Sequence, residues 1–115
     1  MSGGPPYRAH IYWVEVPDEP ESKRRPALVV SSNVRNRLGN DVIVCPISSR
    51  LRGGPTHVRL HLREGGLTAI SEVKCEQVTT IRKARIVEGP LAGPLSHGRM
   101  QQVERCILTA LDIVL

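Results

Sequence analysis

Apolar residues cluster or alternate in short runs over most of the chain and recur at helical spacing only near its end. Residues 11–16 form a β-branched and aromatic run, closed by Pro17 and the polar stretch 18–25, which predicts a first strand. Trp13 sits in this run with apolar neighbours on both sides, so it is expected in the core. Residues 27–30 and 42–47 are nearly all apolar, the pattern of central strands covered on both faces. Between them, Asn33 is expected to cap a short helical turn through Arg37, with Gly39-Asn40 as its exit. Residues 56–63 alternate: Val58, Leu60 and Leu62 face inward, and His57, Arg59, His61 and Arg63 outward. Residues 73–81 predict another strand, of mixed polarity, and residues 84–87 a short one. Ser96 then starts a helix. Met100, Val103, Ile107, Leu111 and Val114 recur at three- and four-residue spacing, a stripe that must pack on the sheet or on a partner. Strands closed by one helix predict an α+β domain, mainly β, built as a small curled sheet or barrel.

A chain of 115 residues has room for one domain with one modest core. Its 40% hydrophobic content and nine dispersed prolines favour a globular fold over disorder. The Gly/Pro-rich residues 1–7 are expected to form a flexible tail ahead of a single domain at 8–115. No apolar run reaches the ~18 residues of a membrane span, and the N-terminus lacks the apolar stretch of a signal peptide, so a cytoplasmic protein is expected. Cys45, Cys75 and Cys106 are far apart and form no CxxC pair. His57 and His61 have no cysteine motif beside them, so no metal site and no cofactor is expected. Cys45 and Cys106 lie in apolar patterns as small buried hydrophobes, which fits a reducing cytosol.

Sixteen Lys plus Arg against 11 Asp plus Glu give a net charge of +5, and the positive charge is concentrated. Residues 50–63 contain Arg50, Arg52, Arg59 and Arg63 and no acidic residue; a second cluster is Lys23-Arg24-Arg25. These two loops could wall a groove that tracks phosphates, or form a solvated basic rim; charge alone leaves both open. The chain has no Phe, one Trp and two Tyr, too few for the stacking platform of an RRM or cold-shock sheet. Any RNA bound here is therefore held by charge and hydrogen bonds more than by stacking.

Three blocks carry a resemblance. Ile11-Tyr12-Trp13, a polar loop, and Arg25-Pro26-Ala27-Leu28-Val29-Val30-Ser31 resemble the opening of the MazF/PemK/Kid toxins, which place an Arg-Pro-hydrophobic strand after their first loop. Val44-Cys45-Pro46-Ile47-Ser48-Ser49 resembles their next strand, with its hydroxyl-bearing end. Glu76-Gln77-Val78-Thr79-Thr80-Ile81, followed by Arg85-Ile86, is similar to their Glu-Gln-hydrophobic segment. Order and spacing hold from about Arg8 to the C-terminal helix. The resemblance implies an SH3-like barrel with appended helices, a homodimer, sequence-selective cleavage of single-stranded RNA, and a cognate MazE-like antitoxin. The chain departs from the family with Ala9 where Gly is usual and Ser48 where Thr is frequent. Glu21 is the nearest match to a family Glu before the Arg, at a shifted spacing.

RNA supplies its own nucleophile, the 2′-OH, so cleavage needs a base, an acid for the leaving 5′-oxygen and a cation at the phosphorane. With the resemblance, Arg25 and Ser48 are the candidate catalytic residues. The guanidinium fork of Arg25 can hold two phosphate oxygens, and Ser48 can donate to a non-bridging oxygen. A guanidinium is a poor base, so proton transfer falls to a neighbour or to water, with Glu21 and His57 as candidate shuttles. Lys23, Arg24, Ser49, Arg50, Arg52, His57 and Arg59 are the candidate RNA contacts. Glu76 and Gln77 are assigned to the fold or the dimer. On the same fold, a CcdB-like gyrase poison is the alternative; it calls for a C-terminal Trp-Gly-Ile, and this chain ends Asp112-Ile113-Val114-Leu115.

Overall fold

The computed structural model describes residues 4–16 and 23–114. Seven strands, β1 (Ile11–Glu15), β2 (Arg24–Val29), β3 (Asp41–Ser48), β4 (His57–Leu60), β5 (Ser71–Lys74), β6 (Thr79–Arg82) and β7 (Ile86–Glu88), are joined by a short helix α1 (Asn33–Leu38) and closed by α2 (His97–Ala110). Every strand pair is antiparallel, in the order β4-β5-β3-β2-β1-β7, with β6 also on β3. The α+β class and the C-terminal helix are as expected, and the strands form an open, bent sheet.

The bend has a local cause. One edge of β3 pairs with β2, and the other is divided between two partners: Asp41 to Val44 face β6, while Ile47 and Ser48 face β5. The gap between these ladders falls at Cys45-Pro46, where proline has no amide to donate. Residues 73–81, expected as one strand, are therefore two. A 3-10 turn at Cys75–Gln77 carries the chain from one partner position to the other. Another 3-10 turn, Lys83–Arg85, takes the first half of the short strand expected at 84–87, whose second half is the start of β7, because the chain must cross there from β3 to β1. β4 stops at Leu60: the His61 amide donates to Glu64 Oε1 at 2.7 Å, and the chain turns away. Leu62 is consequently exposed rather than inward.

Alternation along β2 and β3 supplies two cores. Leu28, Cys45 and Ile47 point to one face and join Ile11, Leu60, Val73, Met100 and Val103. Ala27, Val29, Val42 and Val44 point to the other, with Tyr12, Ile81 and Ile86. Burial of each large apolar side chain contributes roughly 1.5–3 kcal/mol, so these two strands dominate the fold. The three cysteines, distant in sequence, converge: the Cys45 and Cys106 thiols both neighbour Cys75. Contact with Cys45, together with burial, pushes the Cys75 thiol well above its ordinary value. All three are free thiols packed as hydrophobes.

Ser96 caps α2 as expected, its Oγ accepting from the Arg99 amide at 3.1 Å. Arg99 then reaches Glu64 with two charge-assisted bonds of 2.9 and 2.7 Å, which fastens the first turn of α2 to the segment after β4. Met100 and Val103 are the buried part of the helical stripe, Ile107 is half-buried, and Leu111 and Val114 are exposed. The cap of α1 is Ser32 rather than Asn33: Ser32 Oγ accepts from the Arg35 amide at 3.2 Å, and Asn33 Oδ1 accepts from the Arg8 amide at 2.7 Å. Within the segment expected as a tail, Pro6 is fully buried and the Tyr7 amide donates to the Tyr12 hydroxyl at 2.9 Å.

Ala9 has φ +74°, the left-handed region that favours glycine, the residue usual at this position in the toxins that the sequence resembles. Its amide donates to Val29 O at 2.9 Å and its carbonyl accepts from Leu95 N at 3.0 Å, so the conformation is fixed by the fold. An L-residue in this region costs about 1–2 kcal/mol, and the greater chain entropy of unfolded glycine offsets about half of that. Ala9→Gly should therefore stabilise the protein by about 0.5–1 kcal/mol in urea denaturation; a destabilised variant would contradict the strain.

Candidate functional site

Splayed strand ends make the site. β1 and β2 pair with Val14 opposite Arg25 and Glu15 opposite Arg24, so both arginines stand at the open end of β2. β2 and β3 pair from Val29↔Val44 to Ala27↔Pro46 and then separate. Continued past that point, the register sets Arg25 level with Ser48. Both line one cavity of about 810 Å³ that occupies the space between the separating strands. Among the described residues its charged lining comprises Arg24, Arg25, Arg50, Arg52 and Lys74, against one carboxylate, Glu15. Such a balance disfavours an anionic wall and suits a polyanionic occupant.

Ser48 is poised as a donor. Its Oγ accepts from the Arg50 amide at 3.1 Å, which leaves the hydroxyl hydrogen free to turn toward the cavity. Ser49 and Arg50 follow it along the same wall. The structure thus brings together Arg24, Arg25, Ser48, Ser49, Arg50 and Arg52, drawn from the start of β2 and from the end of β3 with the loop after it.

Other expected residues lie elsewhere. Lys23 is exposed just ahead of β2 and outside the cavity wall, and Arg59 lies on the outer face of β4. Glu21 falls outside the described residues. His57 is away from Arg25 and is nearly enclosed: its Nδ1 lies 3.2 Å from Glu72 Oε1 and its Nε2 3.0 Å from Glu76 Oε2. With both nitrogens engaged and its side chain 9% exposed, it is held in a clamp rather than presented as a shuttle. Glu76 is satisfied by this histidine, by a backbone amide and by Thr56, which fits a place in the fold.

Sequence reasoning missed four residues. Trp13, expected in the core, is half-buried and lines the cavity, because its partner Pro26 sits where the strands begin to part. Gln77, assigned to fold or dimer, lines it too, and so does Lys74. Strand periodicity could have placed Lys74, since it pairs with His57 on the polar face. Glu72 escaped notice altogether, just before the expected start of its strand, and it is the most deeply buried carboxylate described, 1% exposed. It accepts from the Arg52 amide at 2.7 Å and the Gly53 amide at 2.9 Å, besides His57. Burial pushes its carboxyl up, but these donors outweigh burial and hold it below the usual carboxylate range. Glu64 behaves alike, burial being outweighed by Arg99 and the His61 amide.

A bent antiparallel sheet backed by one helix, with a cationic cleft where β2 and β3 separate, defines a small basic α+β domain. Residues 7–111 match the PemK-like, MazF-like toxins of type II toxin–antitoxin systems, and the chain belongs to that family. Endoribonuclease EndoA of Bacillus subtilis is 28% identical over 86 residues, 70% of this chain and 74% of that protein. Among solved structures, the Mycobacterium tuberculosis toxin MazF-mt6 superposes with a TM-score of 0.79 at 24% identity, over 92% of this chain and 99% of that one. A mycobacterial endoribonuclease in complex with its cognate antitoxin gives 0.80 at 24%, over 96% and 98%.

Carboxyls held low in the folded state stabilise it fully above the unfolded value of ~4.3, and that stabilisation is lost as pH falls through the folded values. Thermal stability should therefore be level between about pH 5 and pH 8, below the range in which unfolded thiols titrate, and decline on further acidification. Glu72→Gln and Glu64→Gln should each lower the plateau and make the acid decline shallower. An unchanged slope in calorimetric scans of both variants would contradict these assignments.

Proposed function

We propose that the chain is the toxin component of a type II toxin–antitoxin system, a sequence-selective endoribonuclease that cuts single-stranded RNA by 2′-OH attack. The products are a 2′,3′-cyclic phosphate and a 5′-OH, and the chemistry calls on no metal. One observation carries the reading: in a member of this family, Arg25 and Ser48 line one cleft at the separated ends of β2 and β3, which among the described residues holds five cations. The relatives named as endoribonucleases support it.

In this reading the scissile phosphate lies between Arg25 and Ser48. Arg25 holds two non-bridging oxygens through its planar fork and stabilises the charge that accumulates in the phosphorane. Ser48 donates its free hydroxyl hydrogen to one of those oxygens. His57 is committed to its two carboxylates, so proton transfer passes through water or through a group among residues 17–22, which include Glu21. Arg24, Arg50, Arg52 and Lys74 hold the flanking phosphates. The partner is a MazE-like antitoxin, a reading supported by solved complexes of related toxins with antitoxins. Its acidic and apolar tail would cover the same cleft, and the toxin acts as a homodimer.

Arg25→Lys keeps the charge but loses the fork, and single-turnover cleavage of a defined oligonucleotide should fall about 10²–10³-fold, or roughly 3–4 kcal/mol. Ser48→Ala should cost less, Ser48→Thr should stay active, and the double variant should lose less than the product of the single losses. Near-normal cleavage by a folded Arg25→Ala protein would end the catalytic assignment.

A further inference from the structure

The loop of residues 50–55 carries two of the five cleft cations, yet it has little to hold it. Every residue from Arg50 to Pro55 is exposed, Leu51 included, and none belongs to the core clusters. Gly53 at φ +70° and Gly54 at φ +111° turn the chain through conformations that L side chains rarely adopt, with open space around both. This geometry directs the consecutive amides of Arg52 and Gly53 at one point, as in the concave nests that bind anions. The anion is internal: both amides donate to the carboxylate of Glu72.

Glu72 is placed for this by the ladders of β5. It lies opposite Ser48 on one side and opposite Arg59 on the other, so all three side chains share the polar face of the sheet. A buried carboxylate is costly unless its oxygens are satisfied, and here Arg52 N, Gly53 N, His57 Nδ1 and, at 3.5 Å, Arg59 Nη2 surround it. His57 is in turn fixed by Glu76. The start of the loop is pinned separately, by the Arg50 amide on Ser48 Oγ, and its end by the His57 amide on Gly54 O at 3.3 Å.

We propose that Glu72 is a positioning residue for RNA binding: its carboxylate fixes the Arg52–Gly53 backbone and so sets the direction in which Arg50 and Arg52 meet phosphates flanking the cut. The proposal rests on the reading of the cleft as an RNA site. Glu72 itself does not line the cleft, and its oxygens are occupied, so it takes no part in the proton transfers.

The two roles open to such a residue predict opposite signs. Acting only as a negative charge near the cleft, Glu72 would repel RNA, and Glu72→Gln would bind more tightly. Acting as a clasp, it aligns the arginines, and Glu72→Gln weakens binding although the protein gains net positive charge. For a folded Glu72→Gln variant the expected result is a KM about tenfold higher with kcat changed less than about threefold, because contacts to flanking phosphates act on ground and transition states alike. The salt dependence of single-strand binding should become shallower by about one unit of log K per log salt, as one to two phosphate contacts are lost. The Arg52 and Gly53 amides of the RNA-free protein should exchange with solvent about tenfold faster. If Glu72→Gln does not fold, Glu72→Asp keeps the buried charge and its histidine while withdrawing the carboxylate by one methylene, and the same changes are expected at smaller size. An unchanged or lower KM, or unchanged amide exchange, in a folded variant overturns the proposal. A wild-type protein that cuts no RNA sinks the parent reading instead, and the exchange measurement still decides whether Glu72 holds the loop.

Discussion

The pairing of β2 with β3 is the constraint on which the molecule depends. These strands contribute buried side chains to both cores, and their register runs without a shift from Val29↔Val44 to Ala27↔Pro46. A slip of one residue would turn both sets of apolar side chains to the wrong faces, so the register is strongly specified by burial. The same register brings Arg25 level with Ser48. The geometry of the proposed site and core packing thus share one cause, and the separation of the strands beyond Pro46 converts a ladder into a cleft.

Charge is distributed according to the same plan. Among the described residues the charged groups of the cleft wall are cationic apart from Glu15, while other carboxylates lie in clasps: Glu72 with the 50–55 loop and His57, Glu76 with His57, Glu64 with Arg99. Glu72 is buried, Glu64 half-buried and Glu76 exposed; each is met by donors, and Glu72 fastens a loop that the hydrophobic core does not reach. The arrangement lets a small domain keep exposed, glycine-rich loops near its cleft in a defined position without covering them.

Much of the fold was legible because its signals are strong and local. The doubly buried runs at 27–30 and 42–47, the alternation of Val58 and Leu60 and the Ser96 cap all report burial or capping that the neighbouring residues decide. The breaks were harder to see. Nothing in the local pattern of residues 73–81 reveals that β3 changes partner at Cys45-Pro46, and the 3-10 turn at Cys75–Gln77 follows from that tertiary event. Leu62 has the right phase for an inward residue but lies beyond a strand that Glu64 terminates. In the site, Arg25 and Ser48 were found through family resemblance, since an Arg before Pro and a Ser at a strand end carry little information alone. His57 shows the converse. Its phase on the polar face was correct, but Glu72 and Glu76, 15 and 19 residues away, take both of its nitrogens, and long-range ion pairs leave no trace in periodicity.

The claim that Arg25 and Ser48 assist an attack by the RNA's own 2′-OH is tested most directly by removing that one hydroxyl. Once a cleavage site has been mapped, two oligonucleotides that differ only by a 2′-deoxy substitution at the scissile nucleotide should be compared in single-turnover reactions containing EDTA. The all-ribose strand should be cut to a 2′,3′-cyclic phosphate and a 5′-OH, while the substituted strand binds and stays intact. Cleavage of both strands at similar rates, or products ending in 3′-OH and 5′-phosphate, would contradict the mechanism.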